Sequence, residues 1–474
     1  MAVNQKLNGG NEDPYRLKYH LMPPTGWLND PNGLCQYHGV YHVYFQYVQE
    51  DAKGAGKKCW GHYTSRDLFS WKFEGIFLLP DQEFDRGGVY SGCALTDDEG
   101  MHFFYTGNVK EEGDYDYIHA GRKATQVLVS SKDGKEHGEK KVLLTNRDYP
   151  DYCTCHVRDP KVWRENGSYY MVLGARIEPE AGGENRGAVL LYRSENRESW
   201  TYVRTVTTAE PFGYMWECPD YLVFGNEAFL SVSPQGLVRG KFENQNVYQS
   251  GYMKMAGSIT EGAPVEEGSF CEWDMGFDFY APQTFVDESG RRILIGWMGH
   301  PDIDEEYENP TVESGWQHTM TVPREITCRD GILYQQPVKE FENLRTESRQ
   351  IKNGETLAFA EGIFEIIIDE IEADTCRVCF DENLVLNYEA GVFSMEFLNE
   401  SGAGRTIRRA RTEQLQDIRI LVDTSSIEVF LNGGSTVFTT RYYPENREQK
   451  LTVWCEKSRN VAWNLKSPAK QNLI

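Results

Sequence analysis

The feature that most limits what this chain of 474 residues can become is a repeat of about sixty residues. Five segments share one design: a polar or acidic opening, an alternating apolar run, a Gly/Asp/Asn turn and a second apolar run. They open at Asn29-Asp30-Pro31, Tyr90-Ser91-Gly92, Arg158-Asp159-Pro160, Glu217-Cys218-Pro219 and Phe279-Tyr280-Ala281-Pro282. Their turns are His38-Gly39, Asp97 to Gly100, Glu165-Asn166-Gly167, Gly225-Asn226 and Glu288-Ser289-Gly290. Period-two alternation closed by such turns reads as a hairpin. A weaker second hairpin recurs between them, as in Trp60 to Ser65 leading to Trp71, or Leu190 to Ser194 leading to Trp200. Two hairpins per period make a four-stranded propeller blade. The expected architecture is all-β: a five-bladed β-propeller over 15–337, a linker over 338–350 where the chain turns charged, and a β-sandwich over 351–474. The sandwich is read from short apolar strands such as Phe364 to Ile368 and Ile427 to Leu431, parted by turns such as Asn432-Gly433-Gly434.

Composition narrows the function. A formal net charge of -23 opposes nucleic acid, which needs clustered Lys and Arg, and also opposes anionic membranes. No run of about 18 apolar residues exists to span a bilayer. Met1 to Pro14 is polar and has no apolar core of a secretory signal, and the eleven cysteines have no metal-ligand spacing. Reduced thiols and a cytoplasmic location are therefore expected, with neither metal nor cofactor.

Equivalent positions of a propeller's blades surround one axis, so the five openings should ring the mouth of one pocket. That brings Asp30, Asp159 and Glu217 together, with Ser91 and Tyr280 at the remaining two blades. Clustered carboxylates repel one another, so at least one should resist ionisation, which suits a general acid near neutral pH. Alternatively, such residues only cap neighbouring loops. Carboxylates without a metal set or a Ser-His-Asp arrangement point to glycoside hydrolysis. Trp27, Trp60, Tyr90, Tyr280 and Trp297 offer apolar faces for sugar C–H groups, or else simply pack the core.

Trp27 to Gly33, Arg158-Asp159-Pro160 and Glu217-Cys218-Pro219 resemble the three signature motifs of glycoside hydrolase family 32, the invertases, sucrose-6-phosphate hydrolases and fructanases. Phe45-Gln46, Trp60-Gly61-His62, Tyr90-Ser91-Gly92, Asp278 to Gln283 and Gly296-Trp297-Met298 resemble further family positions in the family's order, and Asp423 to Phe430 resembles a motif of its C-terminal sandwich. The resemblance implies a retaining β-fructofuranosidase. Asp30 would be the nucleophile, Glu217 the acid/base and Asp159 the transition-state stabiliser. Asn29, Gln46, Trp60, Tyr90, Ser91, Arg158, Tyr280 and Trp297 would line the sugar site. Cys218 is read as packing beside the acid. The expected partner is a small sugar: sucrose, sucrose 6-phosphate or a short fructo-oligosaccharide. A non-catalytic fructan-binding propeller and an inverting arabinan-type propeller glycosidase are the competing readings.

Two departures bear on the leaving-group side. Many relatives carry Tyr-Asn-Pro where this chain has Tyr47-Val48-Gln49, followed by a loop rich in Gly and Lys. Lys53, Lys57 and Lys58 in that loop are either phosphate ligands or merely solvated. The family's Phe-Ser-Gly-Ser appears here as Tyr90-Ser91-Gly92-Cys93.

Overall fold

The computed structural model describes residues 13–179 and 183–468. Among them the chain is built almost wholly of strands, with only short 3-10 turns as helix. Five sheets follow one another up to Pro337. Their first strands are Gly26–Tyr37, Gly88–Asp97, Cys153–Glu165, Met215–Phe224 and Tyr280–Val286, and each pairs antiparallel with the next strand in sequence. These five strands touch one another in cyclic order, the fifth returning to the first, so the sheets stand around one axis. The ring is fastened by Trp316–Gln317, which runs parallel to Gly26–Trp27 and completes the first sheet. His38-Gly39 and Asn166-Gly167 form two-residue turns with both residues at positive φ, the geometry that suits the right-handed twist of a hairpin.

Every first strand carries a bulge. Two residues oppose one at Asn29-Asp30 against Gln46, Tyr90-Ser91 against Thr106, Asp159-Pro160 against Leu173, Cys218-Pro219 against Val232, and Ala281-Pro282 against Gly296. A bulge bends its strand and re-aims a side chain. In the third, fourth and fifth sheets the residue before proline takes a left-handed conformation: Asp159 at φ 63°, Cys218 at 46° and Ala281 at 48°. A residue preceding proline ordinarily avoids this region, so the neighbouring pairs must hold it there. Asp30, also before a proline, keeps extended backbone within its strand, as the Asp-Pro pair predicts.

Two six-stranded sheets follow. Their facing apolar residues, including Phe364, Ile366, Val378, Leu386, Ile420, Val429 and Leu451, form one buried core. The stretch expected to be a linker is ordered structure. Lys339–Leu344 is a 3-10 turn burying Phe341 and Leu344, and Arg345–Gln350 is an edge strand paired with Arg459–Leu465. Its alternation is hidden because an edge strand leaves most side chains in water. Charge was the misleading signal here, since Arg345 pairs with buried Glu365 at 2.6 Å.

The sandwich is clamped to the ring through polar contacts. His20 donates or accepts at both ring nitrogens, 2.8 Å from Asp423 and 2.9 Å from Glu428. Asp423 also accepts the backbone N–H groups of Lys18 and Tyr19. Arg324 of the fifth sheet reaches Glu428 at 2.6 Å and Asp274 at 3.2 Å, and Arg405 of the sandwich pairs with Asp278 at 2.6 Å. The Asp423 to Phe430 motif is thus part of the joint between the two parts.

Candidate active site

The five bulges converge on a cavity of about 410 Å³, lined by Trp27, Asn29, Asp30, Gln46, Tyr90, Ser91, Arg158, Asp159, Glu217, Tyr280 and Trp297, together with Lys58, Arg122, Gln235, His300 and Gln317. A larger cavity, about 860 Å³, opens at the opposite ends of the same strands near Thr96, Trp163 and Val286. Of its two glutamates, Glu165 is taken up by Trp163 and Thr260 and Glu261 is exposed. In the larger cavity Lys161 bridges Asp220, at 3.2 Å, and the Thr284 carbonyl.

The carboxylates occupy three successive register positions. Glu217 is paired in register with Ser233 and stands before its bulge, as Arg158 and Tyr280 do in their own sheets. Asp159 and Cys218 lie one residue further on, as the first residue of the bulge, and Asp30 lies one further again, as the second. Treating the three acids as one rung, as the repeat suggests, therefore misplaces Asp159 by one residue and Glu217 by two relative to Asp30. The side chains of Asp30 and Asp159 still meet at the Cys218 thiol, while Glu217 is held by Arg158 and Tyr280.

The Asp30 carboxylate accepts the Ser91 hydroxyl at 2.5 Å and the Asn29 amide at 3.1 Å. Asn29 is itself oriented by Trp27 at 2.8 Å and Gln46 at 2.8 Å, and Gln46 donates to Ser91 at 2.8 Å. Asp159 accepts the Cys218 backbone N–H at 3.0 Å, and its own N–H donates to Thr106 at 3.0 Å. The Cys218 thiol sits 3.7 Å from both Asp30 and Asp159. Burial and the surrounding carboxylates push that thiol far up, so it stays protonated and serves as a weak donor between the two acids.

Glu217 accepts from Arg158 at 2.6 Å and 3.1 Å, from Tyr280 at 2.6 Å and from Gln235 at 2.8 Å. Arg158 also donates to His156 Nδ1 at 2.8 Å. Burial and the neighbouring guanidinium groups depress His156 to about 2, so it is the neutral acceptor in that pair.

Charge is distributed unevenly over the acids. Burial raises Asp30, against the pull of Ser91 and with help from Glu217. Burial pushes Asp159 up to about 7; Arg158 opposes this and Glu217 reinforces it. Burial is thus the main cause at both residues, and the Glu217 carboxylate adds to it.

Trp60 is not at the cavity. It is fully buried among Tyr44, Phe103 and Tyr105, and its indole N–H donates to the Tyr90 carbonyl at 3.1 Å. It fixes the rim strand from behind, because it lies on the third strand of the first sheet, Cys59–Ser65, and packs against the second sheet. Of the three loop lysines only Lys58 lines the cavity; Lys53 and Lys57 are exposed. Sequence reading missed Arg122, Gln235 and His300. Gln235 faces Met215 across the hairpin from Glu217, a place the repeat register could have marked. Arg122 and His300 come from strand ends with no motif of their own.

Residues 20–337 match the Glycosyl hydrolases family 32 N-terminal domain, and residues 381–467 match the Glycosyl hydrolases family 32 C-terminal domain. Sucrose-6-phosphate hydrolase of Bacillus subtilis (strain 168) is 37% identical over 481 residues, covering 98% of this chain and 97% of that protein. Raffinose invertase of Escherichia coli is 35% identical, covering 95% and 94%. Among solved structures, sucrose-6-phosphate hydrolase from Lactobacillus gasseri has a TM-score of 0.86 at 26% identity, covering 96% and 94%. A Bombyx mori GH32 beta-fructofuranosidase in complex with sucrose has a TM-score of 0.83 at 27% identity, covering 97% and 96%. With the family's two domains matched in order and its acids gathered at one cavity, the chain belongs to glycoside hydrolase family 32 and is a glycoside hydrolase.

Proposed function

We propose that this enzyme is a retaining β-fructofuranosidase on a five-bladed propeller, acting on sucrose, sucrose 6-phosphate or short fructo-oligosaccharides. The observation that carries this reading is the division of labour at the cavity. Asp30 is held by Ser91 on one carboxylate oxygen and by Asn29 on the other, while Glu217 is held apart from it by Arg158, Tyr280 and Gln235, on the side where a leaving oxygen would pass. Asp30 attacks the anomeric carbon of fructose, and Glu217 protonates the departing oxygen. Glu217 then removes a proton from water, which releases fructose with its configuration retained. Asp159, beside Asp30 on the floor, binds fructose hydroxyls and favours the positive charge that develops on the ring. Arg158, Tyr280 and Gln235 keep Glu217 aimed, and one of their hydrogen bonds must yield when the carboxyl turns to the leaving oxygen. The relatives named sucrose-6-phosphate hydrolase and the fold neighbour holding sucrose support the same substrate class.

The test is turnover by Asp30→Ala and Glu217→Gln, with the first-formed anomer followed by proton NMR. Each variant should lose at least about 10⁴-fold in kcat while still binding sugar. Release of the inverted anomer, or turnover surviving in Asp30→Ala, would overturn the assignment.

A further inference from the structure

We infer that the Lys161–Asp220 ion pair, together with Thr284, positions the catalytic acids by fixing the offset between the first strands of the third, fourth and fifth sheets; this rests on the fructosidase reading above. None of the three residues lines the acids' cavity. They lie just past the bulges of Cys153–Glu165, Met215–Phe224 and Tyr280–Val286, and Lys161 and Thr284 line the larger cavity instead. Asp220 is 1% exposed, and one of its carboxylate oxygens takes every bond that ties the strands. That oxygen accepts from Lys161 Nζ at 3.2 Å and from the Thr284 N–H and hydroxyl, each at 2.8 Å. Lys161 also donates to the Thr284 carbonyl. Arg292, on the strand paired with Tyr280–Val286, donates to the Thr284 hydroxyl oxygen at 3.1 Å and so pins it.

Two observations point to positioning. First, the three strands joined here are the three whose residue before proline is left-handed: Asp159, Cys218 and Ala281. That conformation is disfavoured locally, so contacts on both sides of the bulge must impose it. Second, the pair repeats Arg158–Glu217 on the same two strands, three residues further along. The bulges that carry Asp159 and Cys218 are thus bracketed by one ion pair before them and another after them. The two pairs differ in one respect. Glu217 must release one of its partners when it turns to the leaving oxygen, whereas Asp220 takes no part in the chemistry. The far pair therefore keeps the strands in register through the step in which the near one gives way. A buried ion pair adds little net stability over apolar side chains of the same volume, so register is its main contribution.

The test is the double variant Lys161→Met/Asp220→Asn, in which neither charge is left buried alone and an amide oxygen still accepts the Thr284 N–H. Its melting temperature should stay within about 4 °C of wild type. Its kcat on sucrose, per folded enzyme, should fall at least about tenfold while KM changes less than about threefold. Hydrogen exchange over residues 157–162 and 215–222 should quicken, a reading that needs no substrate. Lys161→Arg, which keeps the cation, should retain most of the wild-type kcat. Thr284→Val, which loses only the hydroxyl bond, should show the same split between kcat and KM to a smaller degree. Wild-type kcat per folded enzyme in the double variant and in Thr284→Val, or unchanged exchange over those strands, would make the pair a local packing feature and overturn the proposal. If wild type turned over no fructoside, the fructosidase reading would fall, and the exchange rates would still decide whether the pair holds the strands.

Discussion

Asp159 shows how one side chain can serve chemistry at the expense of the fold. Its pKa is pushed up to about 7 because it is buried beside other carboxylates, with Arg158 only partly compensating. A carboxyl raised from its unfolded value of 3.8 costs stability where it must ionise: fully above about 7, and not at all once the pH is below the unfolded value. Asp159→Asn should therefore raise the free energy of unfolding at pH 8 by on the order of 1–3 kcal/mol, read as a higher melting temperature, with the gain shrinking toward pH 4. Activity should be lost at every pH. If the variant is no more stable at pH 8 than at pH 4 relative to wild type, the cost has been misassigned. The acids themselves were legible in the sequence because each opens a repeat. Their relative positions were not, since offsets of one or two residues around a bulge leave no trace in an alternating pattern. Trp60 illustrates the converse error, as an indole near a motif looks the same whether it faces a sugar or the core.

The five bulges are the elements that turn a stack of hairpins into a site. They depend on small or conformationally tolerant residues at tight points. At Gly92, just past the Ser91 bulge, a Cβ would stand 1.9 Å from the Phe104 carbonyl. Gly92→Ala should cost at least about 1–3 kcal/mol by forcing the first two strands of the second sheet apart, read as a lower denaturation midpoint. It should also displace Ser91 and so weaken catalysis in whatever folded enzyme remains. Retention of wild-type stability would mean that the strand yields at no cost. Gly-containing turns and Asp-Pro openings made these strands readable from the sequence. The positive φ of Cys218 and Ala281 was not readable, because local preference argues against it and only the neighbouring sheets impose it.

At the scale of the whole molecule the ring and the sandwich act as one body through His20, Asp423, Glu428 and Arg324. Burial alone would lower His20, yet its bonds to Asp423 and Glu428 raise it. Burial alone would raise the two carboxyls, yet His20, and for Glu428 also Arg324, hold them below their ordinary values. His20 therefore contributes fully below its ordinary 6.5 and loses its contribution as pH rises through its raised value. The carboxyls contribute above 3.8 and 4.5 and lose it as pH falls through their lowered values. His20→Ala, which takes one partner from each of two buried acids, should cost about 3 kcal/mol, most clearly between pH 5 and His20's own titration. A melting-temperature difference that does not change with pH would argue that His20 only fills space. That the charged stretch near residue 345 belongs to the sandwich was hidden by its exposure, whereas the sandwich core announced itself through its apolar strands. The joint also sets an order of events. Lys18 to His20 leave the ribosome first, but the Asp423 they bind is made some four hundred residues later. In the nascent enzyme this joint therefore stays open until the strand that carries Asp423 has been made.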